Sequence, residues 1–246
     1  LAGGYGTRIS EETDLKPKPM IEIGNMPIIW HIMKLFSVYG VNEFIICCGY
    51  KGYIIKEYFQ NYFLHRSDVT FNLKDNTLET HTNFSEPWKV TLVDTGLNTL
   101  KGGRIKKIEK YLESDINMVT YGDGVSDINL KKLLKFHQKN KKKVTLTAVR
   151  PPARFGAIKL TGNRVKFFKE KSQLDEGWIN GGFFIMEPEF LNVISGDNTF
   201  LEREPLEDMT KSKQLVAYRH HGFWHCMDTK RDKDSLDLLF KKKIIS

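Results

Sequence analysis

Long apolar runs are missing from this sequence of 246 residues. No stretch approaches the roughly 20 consecutive apolar residues that a membrane span needs. No positively charged start followed by an apolar stretch marks a signal peptide. Cysteine is scarce, with Cys47, Cys48 and Cys226 as the whole supply. An odd count with two neighbours adjacent gives no disulfide framework, and no second Cys or His pair has the spacing of a zinc site. Cys47 and Cys48 fall in the apolar run 44–48 and read as buried strand residues, so the cytoplasm is the expected compartment. Repeats, low-complexity segments and linkers rich in Pro, Gly or Ser are lacking as well. That favours one domain over 1–246, although the length alone would allow two.

Charge is present in excess. Lys and Arg number 38 against 30 Asp and Glu, a formal net charge of +8. Such a balance attracts phosphates, whether on nucleic acid, on a membrane surface or on a small ligand. The basic run 139–143 ends a helical pattern, where the macrodipole favours cations. No aromatic residues interleave it as a single-strand platform needs. Neither nucleic acid nor membrane is therefore an expected partner.

Strand-length apolar runs alternate with helical patterns. The spacing predicts a helix over 27–39, stopped by Gly40. A strand follows over 44–48, a helix over 52–63, strands over 90–93 and 117–121, a helix over 129–140 and a β-branched strand over 144–149. This order argues for α/β architecture with a mostly parallel sheet flanked by helices. After Pro152 the pattern turns mixed or antiparallel, with strands over 156–160, 165–169 and 179–186, and a closing helix over 231–242.

The most informative stretch is Leu1-Ala2-Gly3-Gly4-Tyr5-Gly6-Thr7-Arg8. Its glycines let backbone pass close to a ligand and expose N–H groups to phosphate oxygens. Thr7 can add a hydroxyl donor, and Arg8 a forked clamp. The stretch is neither a Walker A loop nor a dinucleotide fingerprint, and by itself it could be a plain glycine turn. Lys16-Pro17-Lys18-Pro19-Met20 follows within one loop. Each Pro favours an extended residue before it, which predicts a stiff arm presenting lysines. Such charges suit a phosphoryl group that gains negative charge during transfer.

Together these two motifs resemble the sugar-1-phosphate nucleotidyltransferases. The resemblance implies a Rossmann-like sheet of the nucleotide-diphospho-sugar transferase type, with 1–150 mainly nucleotide-binding and 151–246 mainly a smaller sugar-phosphate-binding and C-terminal part. It implies that the glycine loop wraps the nucleotide, that Arg8 holds the departing pyrophosphate and that Lys18 stabilises the α-phosphate under attack. In that family a strand normally precedes the glycine loop. The chain opens at Leu1 with the loop itself, so the central strand is expected to be truncated.

Two aspartates are candidate Mg²⁺ ligands. Asp123, in Tyr121-Gly122-Asp123-Gly124, falls just past a strand end, where parallel sheets bind ligands, and Mg²⁺ prefers oxygen donors. Asp127 reads as a cap for the following helix, with a ligand role as the alternative. Asp228, in Trp224-His225-Cys226-Met227-Asp228-Thr229, could itself be an N-cap. The resemblance instead makes it the second ligand. His220, His221 and His225 lack a carboxylate partner at obvious spacing and read as structural or surface residues.

On the sugar side the resemblance covers Arg154-Phe155-Gly156, Lys169-Glu170-Lys171 and Asn180-Gly181-Gly182. It implies that Gly156, Glu170, Lys171 and Asn180 meet the sugar phosphate. Ser172 stands where the family usually has Pro. Segments 45–53, 91–96 and 102–104 resemble the cytidylyltransferase branch, which implies CTP and glucose 1-phosphate as partners and a product bound for dideoxysugar synthesis in surface polysaccharides. Leu1, Ala2, Gly3, Gly4, Gly6, Thr7, Arg8, Lys18, Gly96, Thr99, Arg104 and Gly122 become the nucleotide contacts. Backbone carbonyls near Gly3 and Gly96 are candidate acceptors for the cytosine amino group. A homo-oligomer with the nucleotide site near a subunit interface is also implied. Rival readings are a thymidylyl- or uridylyltransferase, a non-catalytic nucleotide-sugar-binding subunit and a nucleic-acid-binding protein.

Overall fold

The computed structural model describes residues 1–9, 13–113, 116–151, 157–169 and 177–242. In chain order they form β1 (Glu22–Ile23), β2 (Met26–Pro27), α1 (Ile28–Val38), β3 (Glu43–Cys48), α2 (Gly52–His65), β4 (Val69–Asn72), β5 (Thr77–Thr80) and β6 (Lys89–Asp94). There follow α3 (Lys101–Lys107), β7 (Asn117–Thr120), β8 (Gly124–Ser126), α4 (Leu130–Asn140), β9 (Val144–Val149), β10 (Ala157–Thr161) and β11 (Arg164–Lys169). The chain continues with β12 (Ile179–Met186), α5 (Glu204–Lys211), β13 (Leu215–Arg219), β14 (Trp224–Cys226) and α6 (Lys230–Lys241).

The expected α/β fold is present. A four-stranded sheet has the order β13-β9-β12-β7. Strand β13 runs parallel to β9, and β12 runs antiparallel to both β9 and β7. Strands β3 and β6 pair in parallel as a second sheet. Strand β12 shows why layers form on both faces. Its Phe183 and Ile185 pack with Ile28, Ile32 and Phe36 of α1, whereas Phe184 and Met186 join Phe190, Leu201, Leu206 and Met209. Period-2 alternation delivers successive side chains to opposite faces, and burying each such side chain contributes ~1.5–3 kcal/mol. Helix α1 ends where the sequence predicts, with Gly40 at φ +85°. After the Pro-Pro stop, β10 and β11 pair as an antiparallel hairpin.

Strands β3 and β7 face each other across an apolar slot of about 550 Å³. At one end the slot is bridged by the first two residues. The Leu1 amine donates to Thr120 O at 2.7 Å, and Ala2 N donates to Cys47 O at 3.0 Å. The ladder continues in parallel sense, with Gly122 N on Leu1 O at 3.0 Å and Tyr50 N on Gly3 O at 3.1 Å. A segment between two parallel strands is buried on both faces, and Ala2 is accordingly only 3% exposed.

The β4–β5 hairpin has no counterpart in the sequence reading. Its residues are exposed apart from partly buried Val69, so no buried face imposes a period for pattern reading to detect. Its turn uses Asn76 at φ +53°.

Candidate active site

The arm carrying Lys18 is bent rather than straight. Pro17 has φ −66° and ψ 148°, but Lys18, expected to be extended ahead of Pro19, instead opens the 3₁₀ turn Lys18–Met20, with Met20 N on Pro17 O at 2.8 Å. The turn buries the stem of Lys18 and aims its ammonium at two carboxylates. Lys18 Nζ lies 2.7 Å from Asp123 Oδ2 and 2.8 Å from Asp228 Oδ1. Arg8 Nη1 lies 2.8 Å from the other oxygen of Asp228.

Asp123 and Asp228 are brought together by β8 and β14, which pair antiparallel from Trp224↔Ser126 to Cys226↔Gly124. One further bond, Met227 N to Asp123 O at 2.8 Å, seats the two aspartates side by side. Asp228 is not an N-cap. Thr229 caps α6 in a capping box with Asp232, which leaves the Asp228 carboxylate for the site. Asp127 does not cap α4 either. Asn129 does, accepting from Lys132 N at 2.9 Å, while Asp127 Oδ1 lies 2.9 Å from His220 Nε2. His220 thus has the carboxylate partner that linear spacing concealed, because the partner comes from the strand beside it rather than from its own segment.

The charge pattern is self-consistent. Burial would lower the Lys18 ammonium, but Asp123 and Asp228 outweigh it and hold the group above the ordinary lysine value. Burial would raise Asp228, but the hydrogen bond and charge of Lys18, joined by Arg8, hold it below the ordinary aspartate value of 3.8. A carboxyl whose folded pKa is depressed stabilises the fold fully above its unfolded value, and that contribution is lost as pH falls through the folded value. The wild-type protein should therefore lose Tm more steeply than Asp228→Asn as pH drops from 5 to 3. Parallel curves in thermal unfolding would contradict the pairing.

These groups line one cavity of about 610 Å³, within the usual range of ligand pockets. Leu1, Ala2, Gly3, Gly4, Gly6, Thr7, Arg8, Lys18, Thr99, Arg104, Gly122, Asp123, Asn180 and Asp228 all border it. Gly6 sits at φ +69°, where a Cβ would come within 2.7 Å of Thr13 Cγ2, so the loop requires glycine there. Gly96 is not a lining residue. Its carbonyl, like that of Gly3, accepts from the Arg104 guanidinium. The cavity also takes in Tyr5, Lys101, Tyr121, Trp224 and Cys226, which the sequence reading did not single out. Of these, Tyr5, Tyr121, Trp224 and Cys226 carried a local signal, their places within the glycine loop, beside Gly122-Asp123 and within Trp224–Thr229, whereas Lys101 carried none. Gly156, Glu170 and Lys171 lie outside the described residues.

Arg104 lines the cavity, yet it is buried and both of its terminal nitrogens donate to protein. Nη1 donates to Cys48 O, Thr95 Oγ1 and Gly96 O at 3.1, 2.7 and 2.8 Å, and Nη2 donates to Gly3 O and Leu97 O at 2.9 and 3.2 Å. It is a brace that ties the glycine loop to β3 and to the 94–99 turn. Thr99 is similarly engaged, bonded to Asp197 and Lys107.

Among the described residues no cluster of three or more His, Cys, Asp or Glu side chains gathers as a metal site. A metal held by Asp123 and Asp228 would thus draw the rest of its shell from ligand and water. No described helix is long and apolar enough to cross a membrane.

Residues 1–225 match the family described as nucleotidyl transferase. The chain is 53% identical over 243 residues to glucose-1-phosphate cytidylyltransferase of Salmonella typhimurium, covering 98% of this chain and 95% of that one. It is 29% identical to mannose-1-phosphate guanyltransferase of Saccharomyces cerevisiae, covering 96% of this chain and 62% of that one. Among solved structures, UDP-glucose pyrophosphorylase complexed with UDP-glucose superposes with a TM-score of 0.67 at 20% identity, over 98% of this chain and 97% of that one.

Proposed function

Because the chain belongs to the nucleotidyl transferase family, we propose that it transfers a cytidylyl group from CTP to glucose 1-phosphate, giving CDP-glucose and pyrophosphate. The observation that carries this reading is the meeting of Arg8, Lys18, Asp123 and Asp228, from four separate stretches of chain, on one cavity floored by the glycine loop. The base and sugar follow the relative at 53% identity rather than the guanyltransferase at 29%.

The donor set fits Mg²⁺. Two carboxylates already share one cation, the Lys18 ammonium, and hard oxygens suit an ion that keeps phosphate oxygens and water in its shell. Asp123 and Asp228 would hold it, and when bound it would neutralise phosphate charge. The remaining work falls to the protein. The glycine loop and Gly122 position the triphosphate. An oxygen of the sugar phosphate attacks the α-phosphorus, and the bond from that phosphorus to the β-phosphate oxygen breaks as pyrophosphate leaves. The attacking oxygen is already anionic, so no general base is needed. Lys18 neutralises charge at the α-phosphorus. Arg8, whose side chain is 73% exposed, holds Asp228 only weakly, as exposed ion pairs do, and is free to turn to the leaving phosphates. Asn180 faces the sugar. Glu170 and Lys171 complete the proposal on that side.

The same reading carries a homo-oligomer with the nucleotide cavity near a subunit contact. It also carries a cytoplasmic location, which the three free thiols support. The test is pyrophosphate release from glucose 1-phosphate and Mg²⁺ with CTP, dTTP, UTP, ATP and GTP in turn. Release with CTP alone is expected. Release mainly with dTTP or UTP would overturn the base, and no release with any of the five would overturn glucose as the acceptor.

A further inference from the structure

Tyr121 stands at the end of β7, one residue before Gly122-Asp123, on the wall of the cavity. Its ring packs edge-on against Phe184 at 5.8 Å, with the Lys101 ammonium 4.4 Å above it. Gly182 passes so close that an added Cβ would lie 2.6 Å from the ring. The phenol is therefore fixed in place, and the direction of its single proton matters. That proton goes to Glu202 Oε1 at 2.7 Å. Burial would raise the Glu202 carboxyl, but bonds from Lys101 and Tyr121 hold it below the ordinary range, so it stays an acceptor. Burial first, then Glu202, pushes the phenol up, so it stays a donor.

With its proton committed, the phenol oxygen can only accept from Asn180, whose Nδ2 lies 3.2 Å away. The other end of that carboxamide, Oδ1, accepts from Gly182 N at 2.9 Å. Both ends are thus held, and among the described residues no bond takes the second N–H or the second lone pair of this side chain, which borders the cavity. A sugar hydroxyl is donor and acceptor at once, so this pair can meet it and test its position.

We infer that Tyr121 and Glu202 are positioning residues that fix which way the Asn180 carboxamide faces, and that this orientation sets discrimination between hexose 1-phosphates differing at one hydroxyl. The inference rests on the sugar-phosphate reading of the cavity. A site built to hydrogen-bond a substrate hydroxyl rejects the analogue that misplaces it, because its own polar groups are then left unpaired.

The test is Tyr121→Phe, which keeps the ring and removes the oxygen. KM should rise about 10-fold for glucose 1-phosphate and stay within about 2-fold for CTP, the loss of one buried hydrogen bond being on the order of a tenfold effect. The ratio of kcat/KM for glucose 1-phosphate over the galactose and mannose isomers should fall by a similar factor. Glu202→Ala should move the same two quantities in the same direction. An unchanged isomer ratio, or equal rises in KM for CTP and sugar phosphate, would overturn the inference. A second readout needs no turnover. The Asn180 amide proton donated to Tyr121 should be exchange-protected in the wild type and lose that protection in Tyr121→Phe, and an unchanged signal would overturn the inference. If the wild type releases no pyrophosphate with any nucleotide, the proposed function falls by itself, while the amide signals still decide whether Tyr121 orients Asn180.

Discussion

Lys18→Ala is expected to lower kcat by on the order of 10²-fold or more, the usual cost of removing a donor aimed at charge that develops in the transition state. The geometry makes the loss larger than that of a generic surface lysine. Lys18 is buried to 8% exposure on a 3₁₀ turn, and it is shared by Asp123 and Asp228. Without it, the exposed Arg8 is the one cation left on the pair among the described residues, and it sits on Asp228 alone. Asp228 loses the hydrogen bond and charge that hold its carboxyl low, so it should titrate at higher pH than in the wild type. The variant should therefore show both a slower rate and an acid limb of its pH–rate profile moved upward. Circular dichroism and thermal unfolding separate this from misfolding. Near-wild-type turnover would remove Lys18 from the mechanism.

Arg104→Ala is expected to cost about 3–5 kcal/mol of stability, a size reserved for the loss of a buried polar network. The guanidinium serves the carbonyls of Gly3, Cys48, Gly96 and Leu97, and the alanine removes all four bonds, leaving Tyr50 N on Gly3 O and Thr95 on Cys48 O. Lysine cannot stand in, since it brings one nitrogen where the fork brings several. Arg104→Lys should recover less than half of the loss. Urea denaturation measures both, and a loss below about 1 kcal/mol for alanine would contradict the brace. Nucleotide affinity should fall as well, through the loosened Gly3 loop. In a variant that still folds, loss of nucleotide affinity with stability unchanged would restore direct contact as the role of Arg104.

Glycine spacing in Gly3-Gly4-Tyr5-Gly6 constrains φ and ψ directly, so although the bend at Lys18 escaped such local rules, the loop could be read from neighbours in sequence. So could the helix stop at Gly40 and the carboxylate placed just after β7. The same local rules misjudged Asp127 as a cap. Asn129 can fill that role equally well, and in the fold Asp127 pairs instead with His220, which lies between β13 and β14. Arg104 was legible as a residue at the nucleotide loop but not as its brace, because carbonyl acceptors carry no signature in side-chain sequence.

The sequence by itself determined the chemistry available to this protein: a glycine loop, a lysine between two prolines and two aspartates suited to a hard cation. Those depend on residue type and on torsions set within a few residues. Only the tertiary structure decided which groups act together. Lys18 and Asp228 are 210 residues apart, and Tyr121 and Glu202 are 81 apart. Their pairing follows from which strands lie side by side and which charges are buried with a partner, and both depend on packing over the whole chain rather than on any stretch of it.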